Sequence, residues 1–295
     1  MKLKFEGIWT PIPTPLTKHG KVDTDAIRRL VDFHIAAGID GLLPLGTSGE
    51  FALLSREERG IMVKTVADQA DSRVPVVAGV SDPSIERVLQ LSSDAKKAGA
   101  DAVIATLPYY FTTTDEGHYR HFKTISESID LPLLIYNIPE WTHSFVTPET
   151  VQRLADEKLV VGMKYTEYNF LNLVRFLKTS GGKIAIFTGS DAMAYSNLEF
   201  GGSGAIIGSA NVAPKVASKI FDDYKRGDLE GAREAQDRLL PIIMALSVGK
   251  YPAALKEAMN LIEMPVGPLK EPLQSLSIGE KRIVAGLLRS GGFLS

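Results

Sequence analysis

"GIWTPIPTPL", residues 7–16, is the stretch on which the choice of fold turns. Gly7 to Ile12 read as a first β-strand, and the run ends in "TPIPTP" with no glycine fingerprint behind it. A doubly wound nucleotide-binding sheet needs glycines in that turn, so that backbone amides can approach a pyrophosphate at a helix N-terminus. Prolines in their place favour the other architecture built from alternating strands and helices, the (β/α)8 barrel.

Working outward, seven further apolar runs follow: "GLLPLG" (41–46), "VPVVAGV" (74–80), "DAVIATLP" (101–108), "LPLLIYNIP" (131–139), "VVGMK" (160–164), "KIAIFTG" (183–189) and "GAIIGSA" (204–210). Between them lie patterns of helical period such as "DAIRRLVDFHIAAG" and "SIERVLQLSSDAKKAG", with Gly38 and Gly99 placed as C-terminal stops. Eight strand–helix units at this spacing predict an α/β fold, a (β/α)8 TIM barrel over residues 1–226, with additional C-terminal helices over 227–295 packed on it. The one glycine-rich lookalike, "GGSGAIIGSAN" (201–211), has its glycines around and inside a strand. It reads equally as close packing or as a ligand-facing segment.

Composition is consistent with one large domain: 295 residues, 44% hydrophobic and 23% charged, with no low-complexity linker. A net charge of -2, with Lys and Arg scattered, gives no basic field for nucleic acid. Cysteine is absent, which removes disulfides, thiolate nucleophiles and Cys-type zinc sites. No apolar run reaches the ~18 residues of a membrane span and the N-terminus has no signal-type core, so a cytoplasmic protein without membrane partners is expected.

In a barrel of this type catalytic side chains gather at the C-terminal ends of strands. Polar residues collect there: "GTSGE" (46–50), "PYY" (108–110), "YN" (136–137), Lys164, "GSD" (189–191) and "GSAN" (208–211). Lys164 alone among the lysines considered combines an apolar strand with that end; Lys183 begins its strand, and Lys97, Lys178 and Lys225 fall in helical patterns. A free lysine amine is almost wholly protonated at neutral pH, so a nucleophilic one needs desolvation or a neighbouring cation. The alternative is a stem snorkelling from a strand end. Tyr136, on the preceding strand, would give an imine-forming lysine a proton donor and acceptor. The histidines form no metalloprotease pattern, and His118 and His121 read as a solvated helix face, so no metal is expected.

Together "GTSGE", "PYYF", "YNIP", the strand-end lysine and "GSAN" resemble the dihydrodipicolinate synthase and N-acetylneuraminate lyase family of pyruvate-dependent class I aldolases, over nearly the whole chain. The resemblance implies that Lys164 forms a Schiff base with a 2-oxo acid and that Tyr136 relays protons. It implies that Thr47 links Tyr136 to Tyr110 of a neighbouring subunit, in a homotetramer built as a dimer of dimers. Ser48 then belongs to the pyruvate carboxylate clamp, Ile206 faces the pyruvyl group, and Gly189, Asp191 and Ser209 face the substrate tail. No cofactor is implied. One departure is Trp141, in "EWTHS" (140–144), where the biosynthetic synthases carry an arginine for a carboxylate. It turns the expectation to cleavage of a 2-keto-3-deoxy sugar acid, such as 2-keto-3-deoxygluconate, into pyruvate and an aldehyde. Dihydrodipicolinate (4-hydroxy-tetrahydrodipicolinate) synthesis, N-acetylneuraminate cleavage and a Schiff-base dehydratase are the related alternatives, and a non-catalytic acid-binding barrel is the alternative of another class.

Overall fold

The computed structural model describes residues 4–294. In chain order the elements are β1 (Gly7–Thr10), α1 (Thr24–Ala36), β2 (Gly41–Leu42), α2 (Arg56–Ala70), β3 (Val77–Gly79), α3 (Ile85–Lys97), β4 (Ala102–Thr106), α4 (Asp115–Ser128), β5 (Leu133–Asn137), α5 (Pro139–Thr142), α6 (Pro148–Asp156), β6 (Gly162–Tyr165) and α7 (Phe170–Ser180). There follow β7 (Ala185–Thr188), α8 (Ala194–Glu199), β8 (Gly204–Ile206), α9 (Pro214–Arg226), α10 (Leu229–Arg238), α11 (Leu240–Leu246), α12 (Ala253–Leu261) and α13 (Ile278–Ser290).

All the strand pairings are parallel, in the order β2-β1-β8-β7-β6-β5-β4-β3. A bridge between Leu42 and Val76 brings the two ends of that series together, with the Leu42 N–H donating to the Pro75 carbonyl at 2.9 Å. The molecule is a TIM barrel with C-terminal helices, and the doubly wound alternative is excluded. Strand side chains alternate between its two faces. Trp9, Val77, Ile104, Leu134, Phe187 and Ile206 fill the barrel interior, while Ile8, Ala78, Val103, Ile135, Met163 and Ile186 pack outward beneath the helices.

"GLLPLG" contributes less strand than its composition predicts, because only Gly41 and Leu42 pair. Pro44 has no N–H to give a ladder and Leu45 is left-handed, at φ 63°, so the chain leaves the sheet there. "GGSGAIIGSAN" divides between its two readings. A Cβ on Gly204 would lie 1.9 Å from the Gly7 carbonyl oxygen, which makes Gly204 a close-packing residue where β8 meets β1. Gly208, farther along, lines a cavity at the strand C-termini.

His118 and His121 are not on a solvated face. The inward stripe of α4 includes His118, Tyr119, His121, Phe122 and Ile125, and both rings are buried. His121 Nε2 donates to the Thr106 carbonyl at 3.1 Å, since a carbonyl can only accept. Burial pushes His121 down to about 4 and the fully buried His34 down to about 3. Both therefore stay neutral in the fold but titrate near pH 6.5 when unfolded. The unfolded chain binds more protons below that pH, so this contribution to stability is lost as pH falls from about 6.5 towards 4. Asp40, pushed up to about 6 by burial, changes in the opposite sense, so the test compares two proteins. His121→Gln, which keeps a donor for Thr106, is expected to lose less stability than the parent on going from about pH 8 to about pH 5, by up to about 2 kcal/mol in urea unfolding. Equal losses would refute a neutral His121.

The C-terminal helices reach back to the barrel mouth. Glu50, held left-handed at φ 55° at the end of the "GTSGE" turn, is ion-paired with Lys256 of α12 at 2.6 Å, and both side chains are buried. Lys256 Nζ also donates to the carbonyls of Thr14 (3.0 Å) and Pro268 (2.7 Å), while the second Glu50 oxygen accepts from the Lys270 N–H at 2.6 Å. Breaking such a pair from one side leaves an uncompensated buried charge, a cost of about 3–5 kcal/mol. Among the described residues no helix is long and apolar enough to cross a membrane.

Candidate active site

A cavity of about 560 Å³ opens at the C-terminal ends of the strands. Lys164 and Tyr136 enter it from adjacent strands for a reason that lies in the register. They are direct Cα partners across β5 and β6, and in each strand they occupy the inward phase, with Ile135, Met163 and Tyr165 turned outward. Lys164 is buried, only 4% exposed, and its Nζ donates to the Tyr136 hydroxyl at 3.2 Å. Tyr136 in turn lies 3.1 Å from Thr47 Oγ1, so amine, phenol and hydroxyl form a continuous hydrogen-bonded chain. Such a chain can carry a proton away from the amine and return it.

Gly189, expected at the substrate tail, has a nearer role as well. A Cβ there would lie 2.7 Å from Lys164 Cε and 1.9 Å from Thr166 Oγ1, so the missing side chain leaves space for the lysine stem. Ser48 is buried in the one-turn helix Thr47–Gly49. Its Oγ lies 2.6 Å from the hydroxyl of Tyr251. Burial pushes the Tyr251 phenol up, so both groups carry a proton and either hydroxyl can donate to the other.

Asp191 lines the cavity, whereas Ser209 is fully buried behind it and is not among the lining residues; Asp191 Oδ1 accepts from the Ser209 N–H at 2.6 Å. Burial pushes the Asp191 carboxyl above its usual range, against the Ser209 hydrogen bonds and the Lys164 charge. Ile206 lines the same cavity. Trp141, half exposed, stands where this cavity adjoins a second, largely apolar hollow of about 440 Å³ lined by Phe51, Leu53 and Leu273. Tyr110 is not brought to the cavity within one chain. It is 85% exposed, left-handed at φ 79°, with its ring edge-on to Phe111.

Sequence reasoning missed Thr166, Tyr168, Glu140, Lys250 and Tyr251, all of which line the cavity. Lys250 and Tyr251 come from the break between α11 and α12, and the Gly249 and Pro252 that bracket them were the available signal of a non-helical segment. No group of three or more His, Cys, Asp or Glu residues able to hold a metal ion occurs among the described residues.

The family model described as the dihydrodipicolinate synthetase family matches residues 4–290. A 4-hydroxy-tetrahydrodipicolinate synthase of Parvibaculum lavamentivorans is 37% identical over 99% of this chain and 100% of its own. The crystal structure of a chloride-inhibited dihydrodipicolinate synthase from Acinetobacter baumannii, complexed with pyruvate, superposes with a TM-score of 0.95 at 30% identity, over 99% of this chain and 100% of that one. The E. coli prophage protein YagE, of the dihydrodipicolinic acid synthase family and also complexed with pyruvate, gives 0.94 at 32% identity, over 98% and 99% of the two chains. With the barrel, the buried strand-end lysine and its tyrosine already in place, these matches make the chain a member of the dihydrodipicolinate synthetase family, whose enzymes make or break carbon–carbon bonds through a lysine Schiff base.

Proposed function

We propose that the protein joins pyruvate to an aldehyde through an imine on Lys164, in the manner of a 4-hydroxy-tetrahydrodipicolinate synthase. The observation that carries the reading is the Lys164–Tyr136–Thr47 chain, buried at the floor of a cavity large enough for both reactants. Lys164 Nζ attacks C2 of pyruvate, and the carbinolamine loses its hydroxyl as water to leave the protonated imine. The imine accepts the electron pair released when a proton leaves C3, and the resulting enamine attacks the aldehyde carbon. Tyr136, beside the amine, is the group suited to move protons onto and off the departing oxygen. Ser48 and the amides of its turn are suited to the pyruvate carboxylate. Tyr110 completes the relay only if a second copy of the chain lends it, which requires an oligomer.

The names of the relatives favour condensation over sugar-acid cleavage as the physiological direction. One observation favours the second reading: Trp141 puts an indole, not a guanidinium, at the mouth, and Asp191 with the hydroxyl groups of Thr166, Tyr168 and Ser247 suits a polyol tail. The two are separated by kcat/KM for condensation of pyruvate with aspartate semialdehyde and for cleavage of 2-keto-3-deoxygluconate, measured on one preparation. We expect condensation to exceed cleavage by at least about tenfold, a transition-state preference of about 1.4 kcal/mol. The reverse ratio would move the protein to the sugar acids.

A further inference from the structure

We propose that Lys250 is the specificity residue for the second substrate, and that it binds an anionic group at the end of the aldehyde distant from the reacting carbon. This rests on the aldolase reading above.

The inference begins with the charges around the cavity. The Lys and Arg residues lining it are Lys164, which is committed to the imine, and Lys250. The acidic ones are Glu140, exposed at the lip, and Asp191, whose Oδ1 is held by the Ser209 amide. Lys256, Lys270 and Lys281, in the same C-terminal region, are each paired with a glutamate. Lys250 makes no such pair among the described residues. Its ammonium is therefore available to an incoming ligand.

Its backbone is fixed as well. Gly249, left-handed at φ 68°, turns the chain into the cavity, and Tyr251 is pinned there by its bond to Ser48. The Lys250 carbonyl accepts from the Ala253 N–H at 2.9 Å, at the start of α12. Lys250 thus stands next in sequence to a partly buried residue bonded to the Ser48 turn, while its own side chain is exposed at the mouth. It lines both hollows together with Trp141 and Ile138. The positions at 141 and 250 face the same opening, and of the two only Lys250 offers a charge. An anion on the aldehyde would meet an ammonium as a point charge, which tolerates either a carboxylate or a phosphate.

The experiment uses the full-length protein and its Lys250→Met and Lys250→Arg variants. Three aldehydes are condensed with pyruvate: aspartate semialdehyde, glyceraldehyde 3-phosphate and neutral glyceraldehyde. Borohydride trapping of pyruvate on each protein is the control, because Lys250 does not touch the amine. Lys250→Met is expected to lower kcat/KM about 10- to 100-fold for whichever anionic aldehyde the parent prefers, the loss typical of a charge-assisted bond, and Lys250→Arg to restore most of it. Glyceraldehyde should respond to neither change, and the preferred anion identifies the terminus as carboxylate or phosphate. Equal losses for charged and neutral aldehydes would reveal a packing role and overturn the proposal, as would no loss for the anions or a parent preference for glyceraldehyde. Failure of trapping on the parent would instead remove the aldolase reading itself.

Discussion

Lys164→Ala is expected to leave no measurable turnover, a loss of at least about 10⁴-fold, because it removes the nucleophile and not merely an assistant to it. The protein should still fold. Lys164 is buried and makes one side-chain bond, to Tyr136, and Tyr136 keeps Thr47 as a partner when the amine is gone. The cost is confined to the space left beside Gly189, since no buried partner is stranded. Lys164→Met, which retains most of the stem, controls for that space. Pyruvate with borohydride should label the parent irreversibly on the peptide containing Lys164 and leave both variants unlabelled. A label elsewhere, or residual turnover in a folded variant, would remove Lys164 from the chemistry.

Tyr136→Phe is the second large effect. The ring packs with the apolar residues of the barrel interior and lies 4.4 Å, centroid to Nζ, from the lysine, and phenylalanine preserves both contacts. What disappears is the hydroxyl between Lys164 and Thr47. General acid–base groups supply about 10² to 10⁴ in rate, so kcat should fall by that factor while pyruvate affinity, resting on the Ser48 turn, changes little. A near-normal kcat would show that protons travel by another route. Loss of affinity with kcat unchanged would make Tyr136 a binding group.

The two residues could be paired from sequence because each strand has its own period. Leu134 and Tyr136 alternate with Leu133 and Ile135, and Gly162 and Lys164 with Met163 and Tyr165, so one inward phase on each strand suffices once the barrel is assumed. Strand extent was less legible. Whether "GLLPLG" continues to pair depends on Pro44 and on a left-handed Leu45, and apolar composition reports neither. His118 and His121 were misread because polarity was taken for exposure, whereas burial leaves an imidazole neutral and α4 brings a carbonyl within reach of one of them.

The mouth of the site was the hardest part to read. Trp141 stands where the resemblance places an arginine, but nothing in "SVGKYPAAL" announces that Lys250 lines the same cavity. That segment meets the "GTSGE" turn only through the way the C-terminal helices fold back, and sequence distance hides such contacts. Trp141 alone points towards neutral substrates, while the cavity is lined by a second lysine, Lys250.

The buried pair between Glu50 and Lys256 bears on the order in which a growing chain acquires its activity. A ribosome completes the strand that carries Lys164, and then the last barrel strand at Ile206, well before it reaches α12. Until α12 arrives, the glutamate beside the substrate turn has no cation to receive it, and Ser48 lacks the phenol that orients it. Lys164 is thus made early and its setting late. For the same reason the two regions are coupled in stability: removing the carboxylate at residue 50 leaves Lys256 as a buried charge without its partner.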